Sequence, residues 1–283
     1  MVGAVALWSA GCFTVGAGLP TSGITPAPRK PVTSPAEVIP AQAQTPAVGL
    51  SADELHAAAL AAYEPVHSYV SRLRRRESKN GVAKPEELIL FKERKNPFSV
   101  HFKWIGPEAN GREVLYVKNQ HADKLHVLTA AGDVPFVPAG RRMALARDSM
   151  LVKAANPHHD ITDCGLSYNL KDLGNLYAAG KNPSTGVKVT ALGPVTRPES
   201  PKPMPGVEIT LPPGYDPDLP QGGKRVIYYC PETRLPTVYL CYDEQGREQN
   251  YNAYDRIQLT TRLDDDDFHP DKLWGPAAGG RKD

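Results

Sequence analysis

Between residues 98 and 104 the chain alternates. Phe98, Val100, Phe102 and Trp104 are apolar, with Ser99, His101 and Lys103 between them. Period-two alternation predicts a β-strand with one buried face. Similar runs, rich in β-branched and aromatic residues and bounded by turn residues, follow it: REVLYVKN, KLHVLTA, FVPAGRRMALA, GVKVTALGPV, GVEITL, KRVIYYC, TVYLCYD and YDRIQLTTRL. HSYVSRLRRRES and EELILFKERK precede it, joined through Lys79-Asn80-Gly81, a hairpin-type turn. Helical spacing occurs twice. Ser51-Ala52-Asp53-Glu54 is a capping box ahead of LHAAALAAY, and Pro65 closes that segment. In GLSYNLKDLGNLYAAG, leucines recur at positions 166, 170, 173 and 176, with Gly180 as the stop.

The sum is about nine to eleven strands with a helix at the start and another midway. No alternation of strands and helices points to a parallel sheet. Neighbouring strands tend to pair, so one large antiparallel sheet is expected, curling as it grows. The fold class is mainly β (α+β): a curved sheet or half-barrel, with helices packed on its concave face.

Composition divides the chain. Of 283 residues, 28 are Pro and 24 Gly. Residues 1–19 contain the apolar run Val2–Leu7, then Ser9-Ala10-Gly11-Cys12, which resembles a bacterial lipobox. The resemblance implies cleavage before Cys12 and acylation of its thiol, hence a membrane anchor at the envelope. An ordinary secretory signal is the other reading. Residues 20–50 are rich in Pro, Ala, Thr and Ser without apolar periodicity, and predict a disordered tether. Residues 51–275 form the folded domain, and 276–283 a tail. A net charge of +2 gives no case for a nucleic-acid partner.

Candidate chemistry is sparse. His158 and His159 with Asp160 and Asp163 contain ligand types, but zinc needs three or four convergent groups; an N-cap role for Asp160 or Thr162 is preferred. Asp264–Asp267 lacks the alternating ligands and Gly turn of a calcium loop and reads as a solvated connection. On a strand, Arg72, Arg74 and Arg76 share one face, set against Glu86, Glu87 and Glu93 of the next strand. Cys230 and Cys241 are too far apart along a simple hairpin to bridge. No catalytic constellation, metal site or cofactor motif stands out, so the chain is read as a binding protein and not an enzyme.

YVSRLRRRE (69–77), PFSVHFKW (97–104), GREVLYV (111–117) and HDITDCGL (159–166), in this order, resemble an uncharacterised family of bacterial envelope proteins, domain of unknown function 1571. The ending LDDDDFHPDKLWG is similar to the close of the LolA/LolB-type lipoprotein-carrier superfamily. That resemblance implies a half-barrel enclosing an apolar cavity for acyl chains. Phe98, Val100, Phe102, Trp104, Leu115 and Val117 would line it, with a lipid or lipoprotein acyl chain as ligand. The alternative is a protein-interaction or envelope-stress-sensing module with a filled core.

Overall fold

The computed structural model describes residues 49–79, 82–134, 136–155 and 158–276. Helix α1 (Ala52–Tyr63) begins at the expected capping box: the Ser51 hydroxyl accepts from the Glu54 N–H, and the Glu54 carboxylate accepts from the Ser51 N–H. It ends before Pro65.

Twelve strands follow: β1 (Ser68–Lys79), β2 (Val82–Ala83), β3 (Glu87–Arg94), β4 (Ser99–Trp104), β5 (Glu113–Val117), β6 (Leu125–Leu128), β7 (Arg142–Leu145), β8 (Lys188–Arg197), β9 (Ser200–Leu211), β10 (Gly223–Tyr229), β11 (Pro236–Asp243) and β12 (Glu248–Gln258). Helices α2 (Met150–Ala155) and α3 (Gly165–Gly180) lie between β7 and β8, and α4 (Pro270–Trp274) closes the chain.

All strands join one antiparallel sheet of order β7-β6-β5-β4-β3-β1-β12-β11-β10-β9-β8, with β2 a short flap on β1. Consecutive hairpins account for most of this order, as expected. The exception sits in the middle, where β1 pairs with β12 and Arg72 faces Asp255.

Strand β9 begins earlier than GVEITL, at Ser200, in spite of Pro201, Pro203 and Pro205. These prolines occupy every second position, so their missing N–H groups fall on one side of the strand. The pairing of β10 with β9 stops at Gly206, and the proline-bearing half of β9 pairs with β8 alone. The pairs that remain there, Val195–Met204 and Arg197–Ser200, fall on residues other than the prolines, across two register shifts.

Helices α1 and α3 run antiparallel across the concave face. One large core joins Leu55, Ala59, Leu166, Leu170, Leu173 and Leu176 of the helices to inward residues of the sheet from Leu125 to Ile209. The outer face carries two smaller clusters. One, around Met204, Val226, Val238 and Tyr251, has Arg197 stacked on the Tyr228 ring. The other joins Leu115 and Val117 to Phe268 in the segment before α4.

Candidate functional site

Val100, Phe102 and Trp104 point inward from β4, each at most 1% exposed, and Phe98 packs partly buried at the edge of the same core. Opposite them on β5 stand Tyr116 and Val114, so these two are the inward residues of that strand. Leu115 and Val117 therefore face outward, beneath Phe268, and do not share an interior with Val100. The expectation of six residues lining one interior is corrected here. All five residues of β5 are buried, because the C-terminal segment covers the outer face, and alternation cannot separate the two sides.

The concave face carries polar groups among its apolar residues. Glu93 is in register with Ile89 and Phe91 and has no solvent exposure. Its carboxylate accepts from Tyr63 (3.0 Å) and Tyr69 (2.6 Å), from the Leu166 and Ser167 N–H groups, and from the Ser167 hydroxyl. It thus occupies the N-terminus of α3, where free N–H groups and the helix dipole favour an anion. Burial nevertheless pushes its pKa up. Gly165, at φ 76°, makes room for it: a Cβ there would lie 1.9 Å from Glu93 Oε2. The expected N-cap by Asp160 or Thr162 is not what satisfies the helix. Asp160 instead accepts from Thr162 and pairs with Arg147. Nor does Glu93 face the arginines of β1. Arg74 and Arg76 pair with Glu86, Arg72 with Asp255, and Arg76 also with Glu248.

Arg225, 4% exposed, ties Asp172 of α3 (2.9 Å) and Asp216 to the sheet. Burial pushes Asp172 up to about 6, with Arg225 opposing. Arg75 turns inward, ion-paired with Glu87 and Glu77, its guanidinium 5.7 Å from the centre of the Trp104 ring. Arg112, paired with Asp133, approaches the same ring at 5.1 Å.

Four buried side chains on or against this face leave polar atoms without a hydrogen-bond partner: Ser71 Oγ, Arg75 Nη1, Trp104 Nε1 and Asn252 Oδ1. Buried polar groups are normally bonded, so a strip of this kind marks a place where polar ligand atoms or water would be accommodated. The sequence signal was available in part, since Ser71 and Arg75 alternate with the outward arginines and share their side with Leu73.

The remaining candidates fall elsewhere. His158 and His159 both bond Asp218, each at 2.8 Å, and no group of three metal-ligand residues converges among the described residues. The acidic run is a strand-to-helix connection, but it is engaged and not simply solvated: Asp265 pairs with Arg94 and Asp267 with Lys92. Cys164, Cys230 and Cys241 are free thiols; burial raises Cys164 well above the usual thiol range and Cys241 to about 12. An open groove of about 540 Å³ flanks β7, lined by Phe136, Val137, Pro138, Arg141, Met143 and Leu145. Cys12, and the segments up to residue 48 expected to be signal and tether, lie outside the described residues.

No protein with a curated description matches the chain in sequence. Among solved structures it is similar to the MucA/MucB complex of Pseudomonas aeruginosa, at 11% identity over 77% of this chain and 60% of that one, with a TM-score of 0.44. It is also similar to an uncharacterized conserved protein from Thermus thermophilus, at 9% identity over 77% and 91% of the two chains (TM-score 0.43). A LolA superfamily protein from Nitrosomonas europaea matches at 13% identity over 79% and 99% (TM-score 0.31). The model of a family described as a protein of unknown function, DUF1571, matches residues 66–273 and spans every segment quoted above for that resemblance. The chain belongs to the DUF1571 family.

Proposed function

We propose that this protein is an exported envelope protein, held to a membrane through acylated Cys12, whose half-barrel binds the acyl chain of a lipid or lipoprotein. The observation that carries the ligand is the strip of unpartnered polar atoms beside Trp104 and Phe102 on the concave face. A chain lying against Val100, Phe102 and Trp104 would bring an ester or amide group within reach of Ser71, Arg75 and Asn252. The role is binding: the buried carboxylates hold helices in place, and the free thiols that burial affects are pushed away from the reactive thiolate.

Native mass spectrometry of the purified protein is the direct test, and co-purified lipid is the expected result. Val100→Trp adds volume at the inner wall. The expected outcome is retained thermal stability with loss of fluorescent fatty-acid binding. A drop of about 1–3 kcal/mol, with no fatty-acid binding by the wild type, would instead mean an overpacked core and rule the reading out. For the anchor, Cys12→Ala should move the protein from the membrane to the soluble envelope fraction. A wild-type protein that is already soluble and free of lipid mass rules the anchor out.

The second reading is an interaction or envelope-sensing module with a filled core. It is favoured by two buried polar seats, the hydrogen-bonded Glu93 carboxyl at one end of α3 and the Arg225–Asp172 ion pair, that hold the helix down on the sheet. A protein free of lipid by mass, with native stability, supports it.

A further inference from the structure

An antiparallel sheet presents its strand ends on two opposite rims. On one rim lie the end of β1, the start of β3, the end of β4, the start of β5, the end of β6 and the start of β7, as the pairs Arg75–Glu87, Ile89–Trp104, Lys103–Glu113 and Leu128–Arg142 show. Pairs Glu77–Asn250, Gly223–Asp243, Gly223–Leu211 and Lys188–Thr210 carry the same rim across to the start of β8. Helix α1 begins there too. Asp53 pairs with Lys181, just past the end of α3, and Gly180 sits against Val189 of β8. The other end of α1 reaches the opposite rim, where Tyr63 bonds Glu93.

Eight large hydrophobic residues are exposed among the described residues, and four of them crown this one rim: Leu50 (51%), Val82 (68%), Ile105 (42%) and Phe136 (106%). They come from four separate connections. Phe136 has its whole ring in water and a φ of 65°, a conformation that bulky side chains seldom adopt. Arg141, exposed on the same loop, has no ion-pair partner among the described residues. The opposite rim has Met150 and Leu151 in α2 and Val195 near the end of β8, and Leu60 (47%) is exposed one turn before the end of α1 that reaches it.

From this arrangement we infer that the rim bearing Leu50, Val82, Ile105 and Phe136 is the membrane-facing end of the domain and seats these side chains in the surface of an anionic phospholipid bilayer. Three features select a bilayer as the occupant. The apolar groups are single side chains on separate loops, which a fluid surface accepts one by one, whereas a protein partner needs continuous contact over a large area. The unpaired Arg141 guanidinium complements lipid phosphate. The chain preceding Gly49 also leaves from this rim, and residues 13–48 span at most roughly 120 Å, so a domain tethered through Cys12 can lay the rim on the membrane that holds the anchor. The inference relies on the anchoring reading for this last point alone.

The test uses the full chain with Cys12→Ser, which cannot be acylated, and vesicles of phosphatidylethanolamine with a minor share of phosphatidylglycerol. Sedimentation with the vesicles is expected. Phe136→Asp should weaken it about tenfold, Ile105→Asp should weaken it in the same direction, and Met150→Asp on the opposite rim should leave it unchanged. All three side chains are exposed, and equal melting temperatures confirm that folding is intact. The inference is overturned if the Cys12→Ser chain ignores vesicles, even if the rim holds a protein instead. It is also overturned if Met150→Asp costs as much as Phe136→Asp, or if the rim variants bind like the parent. Loss of the Cys12 anchor reading in cells would leave this vesicle result standing, so the two ideas fail separately.

Discussion

Two buried glutamates on opposite faces of the sheet have opposite acidities. Glu93, under α3, is surrounded by tyrosine and serine hydroxyls and backbone N–H groups, and its pKa rises. Glu113, under the C-terminal segment, bonds His101, Lys103 and the Trp274 indole, each at 2.8 Å. Burial alone would raise it as well, but these donors hold it down at about 2. The difference lies in charge and solvent. Five neutral donors do not offset the complete desolvation of Glu93, whereas Glu113, nearer the sheet surface, is less desolvated and the hydrogen bonds from His101, Lys103 and Trp274 outweigh its burial. His101 contributes as a hydrogen-bond donor more than as a cation, since burial lowers its own pKa.

The sharpest way to break this comparison is to remove Glu93. Glu93→Ala would leave the Tyr69 hydroxyl proton and the Ser167 N–H without an acceptor, while the Tyr63 and Ser167 hydroxyls keep their mutual bond and the Leu166 N–H keeps the Tyr69 oxygen; with the space left behind it should cost about 3–5 kcal/mol in urea unfolding. A cost below about 1 kcal/mol would show that α3 is not seated by this carboxylate. Gly165→Ala attacks the same seat from the helix side, through both the left-handed φ and the clash, and should cost about 2–4 kcal/mol. On the outer face Glu113→Gln loses the lysine partner but keeps most of its hydrogen bonds, so about 1–2 kcal/mol at neutral pH is expected.

Acid sharpens the contrast, because the two signs differ. The depressed pKa of Glu113 supplies stability present above the ordinary 4.5 and lost as pH falls towards about 2. The penalty of Glu113→Gln should therefore shrink across that window. Glu93, raised, contributes fully below 4.5 and loses that contribution as pH rises through its folded value. Relative to wild type, Glu93→Gln should gain in melting temperature as pH rises from about 4 to neutrality. Parallel pH profiles for the two variants would refute the assignment. The smallest effect is expected at Cys230→Ser, half-exposed in a turn, within about 0.5 kcal/mol.

Local chemistry was readable from the residues alone. The Ser51–Glu54 box, the alternation from Phe98 to Trp104 and the leucine spacing of α3 each act within a few positions and reappear in the fold. Partners distant in sequence were not readable. Glu93 sits in step with Ile89 and Phe91, a carboxylate in a buried stripe, and that was the available clue. A plausible arginine on the neighbouring strand offered a simpler partner than a helix N-terminus 73 residues away. Leu115 and Val117 were misplaced because β5 is covered on both sides. The outer cover comes from Phe268, which no local pattern links to β5.

The pairing of β1 with β12 has a consequence for how the chain is made. The first long strand finds its central neighbour only in the last, with Arg72 bonded to Asp255 across 183 residues of sequence. As the polypeptide emerges from the ribosome, β1 can join β3 early, but its other edge stays open until nearly the whole domain has been synthesised. Such long-range closure is entropically slow and leaves a strand edge exposed to foreign pairing in the meantime. Arg72, Arg74 and Arg76 all stand on that waiting edge strand, and in the nascent chain, before Asp255 and Glu248 arrive, their charge would act as a gatekeeper against aggregation.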